Sequence, residues 1–174
     1  MKSPAKGCIT EVALAAGRGS AEEEVNMVRT EITAEIKRPL AEVFAYASDP
    51  RNMPEWNSNV EEATAAEMPL GKGTKVTTTI RFLGRRFEVV NEVVEYVPNQ
   101  KLVEKGEKPF PATISMLFES SGEGTRLTTI GELEPGGFFK LGEPILARII
   151  KKQFQAQLDT MKELLEAGVP AGVS

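Results

Sequence analysis

The sequence contains no histidine. That excludes a Ser-His-Asp or Cys-His arrangement and leaves no imidazole to bind a metal. Cys8 is the single cysteine, so the chain has neither an internal disulfide nor a zinc site of the Cys/His kind. We therefore expect no metal and no cofactor. Any chemistry has to come from carboxylates, Lys, Arg, Tyr, Ser, Thr or water. No stretch approaches the roughly 20 apolar residues that a membrane-crossing helix needs, so no integral membrane association is expected. Cys8 to Ala16 is faintly apolar, but Glu11 interrupts it and makes it a poor secretory segment. Basic charge is not in excess: 21 Lys and Arg stand against 25 Asp and Glu, a net −4, without long basic runs. Nothing here attracts nucleic acid. A cytoplasmic protein is the expectation.

What is present is a patterned chain of 174 residues, the size of one domain. Residues 1–26 carry Gly7, Gly17, Gly19 and the run Ala21-Glu22-Glu23-Glu24 without periodicity, and read as a flexible leader or as an upstream extension of a true start near Met27. From Met27 the pattern changes. Val28, Thr30, Ile32, Ala34 and Ile36 alternate with polar residues, as in a strand with one buried face. Pro39 opens a short helix with Leu40, Val43, Phe44 and Ala47 on one stripe. Asp49-Pro50 ends it and starts a second, shorter turn running into Trp56. Six strands follow, at about 59–67, 74–82, 86–97, 101–107, 112–120 and 125–134, separated by Gly- and Pro-containing turns.

After Pro135-Gly136-Gly137 the period switches to that of a helix. Leu146, Ile149, Ile150, Phe154, Leu158, Met161 and Leu165 form its apolar stripe, and Gly168 and Pro170 stop it. Consecutive hairpins imply an antiparallel sheet, and a helix about 35 Å long has to lie across its concave face. The chain thus reads as an α+β domain over 27–168 with a short tail at 169–174.

Two segments carry a resemblance. They are Ile36-Lys37-Arg38-Pro39-Leu40-Ala41-Glu42-Val43-Phe44-Ala45-Tyr46 and Ser48-Asp49-Pro50-Arg51-Asn52-Met53-Pro54-Glu55-Trp56-Asn57, supported by Gly124-Thr125-Arg126-Leu127-Thr128 and the helix end from Leu158 to Leu165. With this order of elements the chain resembles the START-like superfamily (SRPBCC, Bet v-like), and within it the bacterial polyketide cyclase/dehydrase-like branch. The resemblance implies a helix-grip fold: a curved antiparallel sheet of about seven strands around a long C-terminal helix, with two short helices after the first strand. It also implies an internal cavity, since members bind lipids, sterols, polyketides, quinones and plant hormones. The expected function is binding of a small hydrophobic or amphipathic molecule between sheet and helix. The alternative is a polyketide aromatase/cyclase-type enzyme, so whether the chain is an enzyme stays open. Fold alone does not decide.

Candidate ligand contacts follow. The resemblance implies that Leu146, Ile149, Ile150 and Phe154 face the cavity. Inward strand positions such as Ile80, Phe82, Val89, Met116 and Phe118 suit a pocket wall or a plain core. Trp56 reads as a corner anchor, a cavity-lining aromatic, or both. Asn91 shares a strand face with Phe87, Val89 and Val93, and presents its amide inward unless a bulge turns it out. Phe138 and Phe139, after two glycines, read as a mobile lid or as a loop packed on the helix. Arg81, Arg85 and Arg86 cluster at the Gly84 turn, as solvated hairpin ends or as partners of an anionic head group. Tyr46 is expected to be edge packing. No two convergent polar groups can be placed inside from sequence, which ranks binding above catalysis. A wet pocket in which Asn91 met an Arg or a Glu would reverse that ranking. The expected partner is a hydrophobic small molecule, and the expected state a monomer or weak homodimer.

Overall fold

Alternation from Val28 to Ile36 becomes strand β1, with Val28, Thr30, Ile32 and Ile36 buried and the charged residues between them exposed. The computed structural model describes residues 27–139 and 141–168; the expected leader 1–26 and tail 169–174 lie outside them. Helix α1 spans Leu40–Ala47. Pro39 stands at its N-cap, one position earlier than the sequence reading, and its carbonyl accepts from the Val43 N–H at 3.1 Å. A 3₁₀ turn, Pro50–Asn52, is capped by the Asp49 carboxylate, which accepts from the Arg51 N–H. It leads into the single-turn helix α2, Met53–Trp56. Strands β2 (Val60–Ala65), β3 (Lys75–Phe82), β4 (Arg85–Val97), β5 (Lys101–Gly106), β6 (Ala112–Ser121) and β7 (Gly124–Leu133) follow, then helix α3 (Glu143–Glu166).

The seven strands form one antiparallel sheet in the order β1-β7-β6-β5-β4-β3-β2. The first strand pairs with the last because every other connection is a hairpin to a neighbour, while the α1–α2 excursion carries the chain from one sheet edge to the other. Helix α3 packs along β1 and touches α2. The α+β helix-grip architecture expected from the sequence is the one observed.

Pairing register decides which side chains face the helix. Val76 opposes Asn91, Thr78 opposes Val89, and Ile80 opposes Phe87. Across the next ladder Asn91 opposes Gly106 and Val93 opposes Glu104, which in turn opposes Ile114 on β6. A register shift between Val93 and Glu95 restores Tyr96 to the inner face, opposite Leu102. The bulge falls beyond Asn91, so Asn91 stays inward.

Two apolar clusters hold sheet to helix. The larger includes Ile32, Ile36, Val43, Phe44, Tyr46, Trp56, Leu127, Leu158, Met161 and Leu165. At its centre Phe44 meets Tyr96 and Phe118 edge to face, with ring centres 5.5 and 5.0 Å away. Phe118, a candidate ligand contact that also suited a plain core, is thereby core. Tyr46, expected at an edge, is 1% exposed, and its hydroxyl donates to Glu55 Oε2 at 2.7 Å. Burial, first, and that carboxylate push its pKa up. The smaller cluster joins Val28, Leu146 and Ile150. Gly131 permits close approach of helix and sheet: a Cβ there would stand 2.7 Å from the ring of Phe154.

Candidate ligand cavity

Between the two clusters the sheet and α3 border a cavity of about 220 Å³, partly open to solvent. Its walls are mostly apolar. Ile80, Phe82, Phe87 and Val89 come from the β3–β4 ladder, Ala112, Ile114 and Met116 from β6, and Ile150, Phe154, Leu158 and Met161 from α3. Trp56 closes the α2 corner, 5% exposed, with no hydrogen-bond partner for its Nε1–H. Lys108, Pro109 and Phe110 supply the β5–β6 end. Lys108 is the one exposed lining residue, and many of the others are half-buried.

Of the residues singled out from sequence, Trp56, Ile80, Phe82, Val89, Asn91, Met116, Phe139, Ile150 and Phe154 line this space. Phe118, Phe138, Leu146 and Ile149 do not. Phe118 is taken up by Phe44, as described. Leu146 is 3% exposed and packs with Val28 and Ile150. Ile149 is half-buried outside the lining. The helix therefore presents Ile150, Gln153, Phe154, Gln157, Leu158 and Met161 to the cavity, about one turn further along than expected. The reason is the first turns of α3, which are spent covering the end of β1. Phe138 packs among Phe87, Phe110 and Phe139, with ring centres 5.8, 5.4 and 4.8 Å away.

Of the three arginines at the Gly84 turn, Arg85 lies over the Phe138 ring at 4.2 Å and donates from Nη1 to the Phe138 carbonyl at 2.8 Å. Arg81 and Arg86 both reach Glu61, at 2.6 Å each, on the exposed surface. The segment expected as lid or packed loop is thus tied to the β3–β4 hairpin, with Phe139 against Phe82.

One lining group stands out. Glu104 is 8% exposed, and its side-chain partner is Asn91, whose Nδ2 donates to Oε2 at 3.4 Å. Burial drives its pKa up, and the Asn91 bond opposes this only in part. The Asn91 Oδ1 is buried without a partner and rests above Gly106, where a Cβ would collide with it at 2.2 Å. The lining also holds Asn57, Asn59, Thr78, Thr129, Gln153 and Gln157, of which Asn59 and Gln153 satisfy each other: Asn59 Nδ2 donates to Gln153 Oε1 at 2.8 Å, linking the β2 end to α3. Glu104 escaped the sequence reading because charged residues are rarely fully buried. The signal was there, since Leu102, Glu104 and Gly106 share one strand face. The condition that would rank catalysis first is thus half met, because Asn91 does meet a Glu but in an apolar cavity.

The described residues hold no group of three or more potential metal ligands and no helix long and apolar enough to cross a membrane. The architecture, with a partly open cavity between sheet and helix, defines a helix-grip ligand-binding fold of the Bet v-like kind. The chain belongs to the polyketide cyclase/dehydrase and lipid transport family, whose profile matches residues 27–166. Among solved structures it is similar to the di-domain ARO/CYC StfQ from the steffimycin biosynthetic pathway, at 18% identity and a TM-score of 0.68, over 85% of this chain and 55% of that one. It is also similar to TTHA0849 from Thermus thermophilus, at 18% identity and a TM-score of 0.64, over 82% and 99%. Ara h 8.0201 matches at 12% identity and a TM-score of 0.62, over 82% and 99%. Identities this low show a shared fold. No curated protein matches the chain.

Proposed function

We propose that this protein binds one small hydrophobic or amphipathic molecule (a lipid, polyketide or aromatic) in the cavity between sheet and α3. The observation that carries the reading is the concave, partly open space of about 220 Å³ with Trp56, Phe82, Phe110, Phe139 and Phe154 in its wall. Such concave, mostly apolar space with a few polar groups is the common form of a small-molecule site. In this reading the protein works in the cytoplasm as a monomer or weak homodimer. Native mass spectrometry and displacement of an apolar fluorescent dye test it. The dye is expected to bind one per chain, and Ile114→Trp, which fills the cavity, is expected to abolish binding with the fold retained by circular dichroism. Equal dye binding by the filled variant would overturn the reading.

A second reading, a cyclase- or dehydratase-type enzyme, is favoured by one observation: the Asn91–Glu104 pair in the cavity wall. A buried carboxyl with a raised pKa suits proton transfer to a carbonyl or a leaving hydroxyl. The likeness to an aromatase/cyclase structure agrees with it. Turnover of a poly-keto mimic that Glu104→Gln removes without weakening binding is the result expected if the chain is an enzyme. Binding precedes catalysis in our ranking, because the Asn91–Glu104 pair in a mostly apolar wall serves either.

A further inference from the structure

Large apolar side chains left in water mark a contact surface when they gather in one place. Among the described residues six are exposed: Met27, Met68, Leu83, Val90, Leu141 and Ile145. Four of these share one end of the molecule. Met27 precedes Val28, Leu83 follows Phe82, and Leu141 and Ile145 lie between Phe139 and Leu146; Val28, Phe82, Phe139 and Leu146 all meet in the smaller apolar cluster. Leu83 stands at the tip of the β3–β4 hairpin with φ 49°, a left-handed backbone that suits Asn or Gly and strains a leucine. Ile145 begins an outward side of α3 that continues through Arg148, Ile149 and Lys152 at helical spacing. Cations lie among these residues. Arg148, Lys151 and Lys152 are exposed and make no ion pair among the described residues. Arg85 stands exposed beside the Leu83 turn, and Lys108 on the β5–β6 loop.

We propose that this end is a peripheral docking surface for an anionic lipid bilayer. Leu83, Leu141 and Ile145 enter the interfacial layer, and Arg85, Arg148, Lys151 and Lys152 face the lipid phosphates. The net charge of −4 belongs to the whole chain and hides a local segregation. From its start to Phe154, α3 holds Glu143 as its one acidic residue, whereas Asp159, Glu163 and Glu166 lie in its far half. Glu107 and Glu134 are exposed at the basic end and weaken its field, so charge alone holds poorly and the apolar tips are needed as a second signal. The form of the surface selects a bilayer over a protein partner. Its aliphatic residues stand on separate projections, a hairpin tip, a strand start and a helix start, with cations around them. Headgroups part around such tips, whereas a protein interface centres on a continuous buried core. No helix among the described residues is long and apolar enough to cross, so the contact lies on the membrane surface. The inference is independent of what the cavity holds.

The test is co-sedimentation of the full chain with vesicles of phosphatidylcholine, alone or with about one-third phosphatidylserine. Wild type is expected to bind the anionic vesicles about tenfold tighter than the neutral ones, and to lose that advantage in high salt. Arg148→Glu and Lys152→Glu are each expected to weaken anionic binding about tenfold. Leu83→Ser combined with Ile145→Ser is expected to weaken it about as much, with the circular dichroism unchanged because both side chains are exposed. Lys72→Glu makes the same charge change in the turn before β3, at the other end of that strand, and is expected to alter binding by less than about twofold. Wild type that ignores anionic vesicles overturns the proposal without any variant. Equal weakening by Lys72→Glu and Lys152→Glu overturns it as well, since the attraction would then belong to the whole chain. An oligomer that forms without vesicles and that Ile145→Ser dissolves would give the face to a second copy, and overturns it too.

Discussion

Replacing Glu104 with glutamine removes one ionisable group from the interior while keeping its size and hydrogen-bonding capacity. In the folded chain Glu104 is 8% exposed, and burial raises its pKa from an ordinary value of 4.5, with Asn91 lowering it only in part. The folded protein therefore holds this proton over a range of pH in which the unfolded chain has released it. Through that window, which starts near the ordinary value and ends at the raised one, stability falls as pH rises. The slope is about 1.4 kcal/mol per pH unit for one proton. Glutamine has no proton to lose, so the variant lacks this slope. Asp49 and Glu61, whose carboxyls are held low by Arg51 and Arg81, titrate alike in both proteins and cancel in the difference. Urea denaturation from acid to neutral pH is the assay. The stability of Glu104→Gln relative to wild type is expected to increase steadily with pH until the raised value is passed, then level off with the variant the more stable. A difference that stays flat across the whole range would refute the reasoning, because it would mean that water or a cation reaches the carboxyl in the folded state.

Three further outcomes follow from packing. Phe44→Ala removes the ring between Tyr96 and Phe118 and is expected to cost about 3–5 kcal/mol in urea denaturation, with the residual cavity setting the value. Gly131→Ala drives a methyl into the Phe154 ring and is expected to cost about 1–3 kcal/mol, part of which Phe154→Leu restores in the double variant. Arg85→Ala, which unties the Phe138 carbonyl from the β3–β4 hairpin, is expected to change stability by less than about 1 kcal/mol. The same variant should speed proteolytic cleavage near Gly136-Gly137 and the exchange of bound dye; unchanged rates would show that the aromatic cluster closes the mouth without it.

Much of this architecture is legible in the chain because strands and helices have different periods. The alternation of Val28 to Ile36 and the helical stripe from Leu146 to Leu165 each reveal a buried face without reference to anything else. Pro39, Asp49-Pro50 and the glycine turns mark where elements stop, since backbone geometry at those points is local. The absence of histidine and the lone cysteine narrow the available chemistry by themselves. Strand-face reading also brought most of the cavity wall into view, from Ile80 to Met116, and Trp56 with it.

The remaining assignments depended on what each buried face meets, and periodicity is silent about that. Leu146 and Phe118 are as apolar as Ile150 and Met116. Yet one covers the end of β1 and another closes on Phe44, while the other two border open space. Only the crossing of α3 over the sheet decides between them. Glu104 is the clearest case. Sequence places it on the same face as Leu102, but a charged residue on an inward face is ordinarily turned to solvent by a bulge or an edge. Here the bulge comes at Val94, too late to turn out Asn91, and β5 lies mid-sheet with neighbours on both sides, so the carboxyl stays on the inner face and borders the cavity. Local pattern set which faces are buried; strand register and the position of the helix set which part of that burial is core and which part is cavity.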